Sequence, residues 1–347
     1  MRSSRSGELE QGDEASNSNV IAGTVDRRSH YMNFPKVFVI ILNWNGLQDT
    51  LECLDSLYKS DYPNFEVVLV DNGSEEDCTN IIQAKYKTVR LIRNDQNLGF
   101  AGGNNVGMRF ALDRGAEYLW LLNNDTTVTP DALSNLLAEA EKYPDAGIAA
   151  SKIYYFDSPE KIWFAGAEIF WLKGISDHIG IGETDIGQYN RIREMDRVTG
   201  CSMLVKKAVC SKVGLFDEKF FLYDEEVDWC VRSRKAGFKC IYVPASVIYH
   251  KASVSVRKTG VWSKVYDYYH TRNFLYLVRK SFFSPIREIL LALLIIRKLR
   301  YEKRNIVKML LASFNPSFKI PPGENPALFA VKDFLTGKFG KNTYQFK

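Results

Sequence analysis

Apolar and polar positions along this chain fall into blocks that switch between two periods. Residues 37–42, Val37-Phe38-Val39-Ile40-Ile41-Leu42, form an unbroken run rich in β-branched side chains, as in a strand buried on both faces. Residues 47–58 then carry Leu47, Leu51, Leu54 and Leu57 at helical spacing. A second buried strand at 66–70, a helix at 79–86 and a third strand at 89–92 repeat the alternation. This predicts an α/β fold of βαβ units, with a mostly parallel central sheet flanked by helices. The strands stop in polar residues: Asn43-Trp44-Asn45-Gly46, Asp71-Asn72-Gly73-Ser74 and Arg93-Asn94. Those groups should converge on one rim, where open α/β sheets bind ligands.

The stretch 118–130 sharpens the expectation. An apolar strand, Tyr118-Leu119-Trp120-Leu121-Leu122, runs straight into Asn123-Asn124-Asp125. A carboxylate in that place caps a turn or holds a ligand, and the stretch alone leaves both open. Before it, residues 97–107 are rich in glycine but do not make GxGxxG and follow a third strand, so they fail as a dinucleotide fingerprint. They read as the entry to a helix running through Arg109, Phe110 and Leu112, either approaching a ligand closely or forming a tight loop without one.

Further along, residues 131–143 form an amphipathic helix behind Thr129-Pro130, and 147–153 a strand. Residues 156–197 suit an insertion that covers the sheet rim. Residues 197–205 return to the sheet, with Gly200-Cys201 inside a strand. In the run 220–232, Asp224, Glu225, Glu226 and Asp228 lie among aromatics. Acids there complement a helix dipole. A carboxylate beside buried rings also gains proton affinity, as a general base needs. A last strand at 239–248 precedes His250, and 262–280 places Tyr268, Tyr269, His270, Arg272 and Asn273 in one helical segment.

Composition sets bounds. Hydrophobic residues at 46% and charged residues at 25% describe an ordinary globular chain, and a net charge of +5 is too small to argue for nucleic acid. The six cysteines show no metal-ligand spacing and read as buried thiols of a reducing compartment. Residues 1–33 are polar, predicted to be a disordered tail, with no apolar stretch of a signal peptide. The longest apolar run, Ile289 to Ile296, is far short of the ~20 residues of a spanning helix, which predicts a cytoplasmic protein. Arg287, Arg297, Lys298, Arg300, Lys303 and Arg304 bracket that run. A basic amphipathic helix of this kind lies on the inner face of a membrane or packs on its own domain. The organisation expected is a tail at 1–33, a catalytic domain at 34–280 and a basic helical extension at 281–347.

Five motifs in order, ILNWNG, LVDNGS, NLGFAGGNNVG, WLLNNDT and FDEKFFLYDEEVDWCVR, resemble the family 2 glycosyltransferases of GT-A (Rossmann-like) fold. Within them, the chain is most similar to the rhamnosyltransferase-like enzymes of bacterial and archaeal cell-surface polysaccharide synthesis. The resemblance covers roughly residues 37–279. It implies an inverting hexosyl- or rhamnosyltransferase using a dTDP-, UDP- or GDP-sugar, a glycan or lipid-linked acceptor, and Mg²⁺ or Mn²⁺. By position, Asn43, Asn45 and Asp71 would line the nucleoside pocket, and Gly102, Gly103 and Asn105 would flank the donor. Asn123-Asn124-Asp125 stands where the family has DxD, with Asp125 and His250 on the metal and Asn123 near the ribose or sugar. Glu226 falls where the family has its catalytic Asp, with Glu225 and Asp224 as other candidates for the base.

Two departures stand out: Asn123 replaces the first DxD acid, and Glu226 is one methylene longer than the usual Asp. They keep a rival alive, a non-catalytic nucleotide-sugar-binding scaffold. A nucleotidyltransferase would present a glycine-rich basic loop directly after the first strand, where this chain has Asn43-Trp44-Asn45-Gly46.

Overall fold

The computed structural model describes residues 34–76, 78–251, 260–299 and 325–344. The predicted tail at 1–33 lies outside these residues, as do Arg300, Lys303 and Arg304. The unbroken apolar run forms β1 (Val37–Asn43), and its residues Val37 to Ile41 are fully buried. Then follow α1 (Leu47–Leu57), β2 (Phe65–Asp71), α2 (Thr79–Lys85), β3 (Arg90–Arg93), α3 (Gly99–Leu112) and β4 (Tyr118–Asn123). β1 pairs in parallel with both β2 and β4, and β2 with β3. The register sets Asn43 beside Asp71 and Leu42 beside Asn123, so the polar strand ends lie level on one rim.

Beyond β4 the chain adds β5 (Thr126–Val128), α4 (Ala132–Lys142), β6 (Ala146–Tyr155), and the insertion strands β7 (Ser158–Phe164), β8 (Ala167–Phe170), β9 (Ile175–His178) and β10 (Arg193–Met195). β11 (Ser202–Lys206), α5 (Lys207–Val213), α6 (Glu225–Lys235) and β12 (Lys239–His250) complete the sheet. Its order is β10-β12-β6-β11-β4-β1-β2-β3. The parallel expectation holds from β3 to β4. β11 then runs antiparallel to both β4 and β6, so the whole sheet is mixed. Gly200 and Cys201 precede β11 rather than lying within it, and the Gly200 position is closed by the Phe100 ring.

Three C-terminal helices, α7 (Gly260–Ser281), α8 (Ile286–Leu299) and α9 (Pro326–Leu335), pack together. Leu290 and Leu294 of α8 and Leu328 and Val331 of α9 join Phe274 and Leu277 of α7 in one buried cluster, which also takes in Phe220 and Val227 beside the acid run. The expected boundary at 280/281 therefore runs through a shared core.

Candidate active site

The first strand ends build a polar corner. Asn43 is buried, and its Nδ2 donates to Asp71 Oδ1 at 3.2 Å and Ser74 Oγ at 3.3 Å. Its Oδ1 accepts from Gly46 N and Thr50 Oγ1, each at 3.1 Å. Asn45 sits at φ 54°, and its Oδ1 accepts from Glu75 N at 2.8 Å. Asp71 is wholly buried, with Arg93 Nη1 2.7 Å from Oδ2. Asn43, Asn45, Gly46, Ser74 and Glu75 line a cleft of about 340 Å³ on this corner. Asn124 Nδ2 ties the β4 loop to it, reaching Thr50 Oγ1 at 3.0 Å and Gly46 O at 3.3 Å.

A second, larger cavity of about 900 Å³ opens beside the β4 end, lined by Asn123, Cys201 and His250. Asp224, Glu225 and Glu226, at the start of α6, all face it. The insertion supplies Trp163, Ser176 and His178, Arg197 comes from the approach to β11, and α7 adds Tyr266 and His270.

The four acids divide by partner. Asp228 is held by Arg232 at 2.7 Å and Lys280 at 2.8 Å, a structural pairing. Asp224 pairs with His270 Nδ1 at 3.0 Å, and the Tyr266 ring stacks on that imidazole. Glu225 Oε2 is buried with no hydrogen-bond partner. Among the described residues, the ion-pair partner of Glu226 is Arg197 Nη1, at 3.9 Å, with the amides of its own first turn beside the carboxylate. Burial, then the charge of Glu226, pushes the Glu225 carboxyl well above its ordinary range. Burial also raises Glu226; Arg197 opposes this and Asp224 adds to it.

These acids enter from a strained turn. Phe221, Tyr223 and Asp224 have φ of 64°, 66° and 67°. Left-handed backbone costs about 1–2 kcal/mol for each such residue.

On the opposite ladder, the β12–β5 register sets His250 beside Thr126, next to Asp125. His250 Nε2 lies 3.2 Å from Asp125 Oδ1, close enough for an ion pair but not aligned as a hydrogen bond. Asp125 Oδ1 and His250 Nδ1 are both buried without hydrogen-bond partners. Burial pushes Asp125 up, but His250 outweighs it and holds the carboxyl below its ordinary range. Among the described residues, no cluster of three or more His, Cys, Asp or Glu groups could hold a metal ion unaided. A hard cation that takes most of its oxygens from a diphosphate needs only one or two protein donors. A carboxylate oxygen beside an imidazole nitrogen is the right donor set, but His250, its pKa raised to about 10 beside Asp125, would have to lose its proton to coordinate, and Asp125 itself lines neither cavity.

Residues 38–214 match the family described as Glycosyl transferase family 2. The chain belongs to this family.

Among family relatives, an uncharacterized Sinorhizobium fredii protein, y4gI, is 30% identical over 61% of this chain and 23% of its own length. The N-acetylglucosaminyl-diphospho-decaprenol L-rhamnosyltransferase of Mycobacterium tuberculosis is 29% identical over 54% of this chain and 66% of its own. The chain thus spans less than two thirds of either. The dTDP-rhamnosyl transferase RfbF of Shigella flexneri is 26% identical over 79% of this chain and 94% of its own. Among solved structures, S. aureus TarS 1-349 in complex with UDP-GlcNAc superposes with a TM-score of 0.54 at 17% identity, covering 86% of this chain and 80% of that one. The Pyrobaculum calidifontis mannosyltransferase PcManGT with GDP-Man and Mn²⁺ gives 0.50 at 16% identity, covering 88% and 83%. These likenesses establish the GT-A fold.

The family's motif positions separate in space. Asn43 and Asn45 line the corner cleft, while Asp71 braces it from below. Asn123 and His250 line the large cavity with Glu225 and Glu226. The glycine-rich segment packs against the chain itself. Gly103 lies against β1, where an added Cβ would meet Leu42 Cδ1 at 2.5 Å, and Gly102 backs onto Leu98. Asn105 is buried, donating to Phe216 O and Glu218 Oε1 and accepting from Phe216 N. None of the three lines either cavity. The α3 N-terminus is occupied by the chain itself: Phe221 O accepts from Phe100 N at 2.7 Å and Ala101 N at 3.3 Å. Sequence reasoning missed Arg197 and the insertion residues, whose only signal was the aromatic content of 156–197. It noticed His270 and Asn273 without assigning them.

Proposed function

We propose that this chain is an inverting, metal-dependent glycosyltransferase that moves L-rhamnose from dTDP-L-rhamnose to a hydroxyl of a glycan or lipid-linked acceptor in cell-surface polysaccharide synthesis. The observation that carries it is one cavity holding both a partly buried, weakly paired carboxylate and the Asn123–His250 rim. The names of the M. tuberculosis and S. flexneri relatives support the sugar and the dTDP carrier. The Mn²⁺ of the P. calidifontis complex supports a divalent ion.

In this reading Asn43 and Asn45 hold the nucleoside at the corner cleft, and Asn123 and Asn124 orient the ribose and sugar between cleft and cavity. Glu226 takes the proton of the acceptor hydroxyl as its oxygen attacks the anomeric carbon. The bond from that carbon to the diphosphate breaks on the opposite face, and the configuration inverts. A raised proton affinity makes Glu226 a stronger base once ionised. Glu225, deeper and more strongly raised, keeps its proton and adds no second negative charge beside it. Asp125 and His250 would hold Mg²⁺ or Mn²⁺, which when bound would supply Lewis-acid neutralisation of the departing diphosphate. Bound reactants held in this order supply much of the remaining rate.

The test is release of dTDP from dTDP-L-rhamnose in the presence of a lipid-linked glycan acceptor, measured with Glu226→Gln alongside. The variant should lose about 10²–10⁴-fold in turnover while retaining dTDP binding in a thermal shift. Wild-type turnover in the variant would move the base to Glu225 or Asp224. Binding without turnover by the parent chain would establish the scaffold instead.

The acceptor side carries a membrane reading. Helix α8 turns Leu290 and Leu294 inward and exposes Ile286, Ile289, Leu293 and Ile296 on one face, with Phe283 89% exposed just before it. Arg297 lies in the last turn beside that face, Arg287 in the first turn is paired with Glu288, and Lys298 turns inward toward Asp224 and Asp267. An apolar stripe with a cation at its edge is complementary to an anionic bilayer surface. No helix among the described residues is long and apolar enough to cross a membrane. We assign this face to the bilayer that presents a lipid-linked acceptor.

A further inference from the structure

The turn that delivers the acid pair converges on one amide. Left-handed backbone at Phe221, Tyr223 and Asp224 persists only where its surroundings over-determine it. One support is the α3 N-terminus, whose Phe100 and Ala101 N–H groups donate to Phe221 O. The other is Asn273 of α7, fully buried and outside the cavity lining. Its Nδ2 donates to the carbonyls of Phe220 at 3.0 Å, Leu222 at 2.9 Å and Tyr223 at 2.7 Å. Its Oδ1 accepts from Arg272 Nε at 3.0 Å and Nη2 at 2.9 Å. Arg272 thereby fixes which way the amide faces, since a flipped amide would set its oxygen against three carbonyls. Arg272 Nη2 also donates to Phe220 O at 3.0 Å.

We propose that Asn273 is a positioning residue for the acid pair: its amide holds residues 220–224 in the turn from which Glu225 and Glu226 enter the cavity. The kinetic part of this rests on the transferase reading; the structural part does not. The chemistry selects asparagine. A short primary amide offers two N–H groups in one plane and an acceptor on the other side for Arg272. Aspartate keeps the shape, removes both donors and sets a carboxylate against the three carbonyls. The groups facing Glu226 are Arg197 on the approach to β11, and Asp224 and Glu225 on its own turn, with His270 of α7 paired to Asp224. A relaxed turn moves Glu226 relative to all of them and toward water.

The experiment compares Asn273→Asp with the parent chain and with Leu137→Ala, a destabilised control in α4 whose side chain is buried away from the cavity. With dTDP-L-rhamnose as the probe, Asn273→Asp should lower kcat for dTDP release by about 10²-fold, the effect of a displacement near 1 Å. KM for the donor should stay within about twofold, because the corner cleft is built from other elements. The acid limb of the kcat profile should move to lower pH as Glu226 loses its burial. Amide exchange across residues 221–228 should quicken by about tenfold or more, with the rest of the chain unchanged. Leu137→Ala should lower Tm without shifting the acid limb. Parent-like exchange at 221–228 in Asn273→Asp would overturn the proposal. So would a loss of kcat with an unmoved acid limb and exchange raised throughout, as in Leu137→Ala. If the parent chain releases no dTDP, the transferase reading fails, and the exchange measurement still decides the role of Asn273.

Discussion

Replacing Gly99 with alanine tests the contact between the glycine-rich motif and the turn before α6. Gly99 sits at φ +76°, and a Cβ there would collide with Phe221 O and lie 2.6 Å from Phe221 Cδ2. Two effects add. Left-handed backbone costs an alanine about 1–2 kcal/mol. Displacing Phe221 O breaks its bond to Phe100 N, and an unsatisfied buried group costs about 1–3 kcal/mol more. Gly115→Ala separates them, because Gly115 has φ +82° with nothing within 4 Å of an added Cβ. Thermal denaturation should therefore show Gly99→Ala about 2–5 kcal/mol less stable, and Gly115→Ala only about 1–2. At about 1.4 °C of Tm for each kcal/mol in a chain of this size, that is a drop of about 3–7 °C against about 1–3 °C. Turnover should fall in Gly99→Ala and hold in Gly115→Ala, since only the first disturbs the turn leading to Glu226. Equal Tm losses in the two variants would refute the claim that close approach of Phe221 is what demands glycine.

Three further outcomes follow from the same geometry. Asp125→Ala should abolish the Mn²⁺-dependent part of the thermal shift given by dTDP-L-rhamnose while leaving a shift from dTDP alone, read without any turnover; an unchanged Mn²⁺ response would remove Asp125 from the cation site. Because burial raises the folded-state pKa of Glu225, the folded chain binds more protons than the unfolded one, so this group costs stability as pH rises above its unfolded value. Glu225→Gln should accordingly raise Tm at pH 8 and lose that advantage near pH 4, and an equal gain at both would contradict the assignment. Ile289→Glu with Leu293→Glu should abolish flotation with anionic phosphatidylglycerol vesicles, and undiminished flotation would sink the bilayer assignment of α8.

What could be read ahead of the structure follows the range of the interactions. Strands β1, β2 and β4 were legible because burial on both faces writes itself as an unbroken apolar run, and their polar ends were legible because strands end where burial ends. The reversal at β11 was not, since a strand of five residues carries no mark of its direction. Asp228 could be separated from the other acids in part, through its i, i+4 partner Arg232; its second partner, Lys280, lies on a distant helix. The glycine-rich segment left ligand approach and a ligand-free loop open, because the partner it packs against, the Phe221 carbonyl, comes from far along the chain. For the same reason, His270 and Asn273 showed as a conspicuous cluster without a role.

The two departures from the family pattern become intelligible together. Asn123 in place of an acid leaves the rim with less negative charge, and the structure sets an imidazole beside the one carboxylate that remains. A cation bound through one carboxylate and a histidine, with diphosphate oxygens for the rest, does not require a second acid from β4. At the other wall, Glu226 is longer than the usual Asp, and it stands across from Gly200, where an added Cβ would come 3.9 Å from Glu226 Cβ. A side chain at that position would crowd the Phe100 ring, at 3.1 Å, before it reached Glu226. The turn of Phe221 to Asp224 sets where that side chain starts, so its reach is fixed jointly by the α3 N-terminus and by α7.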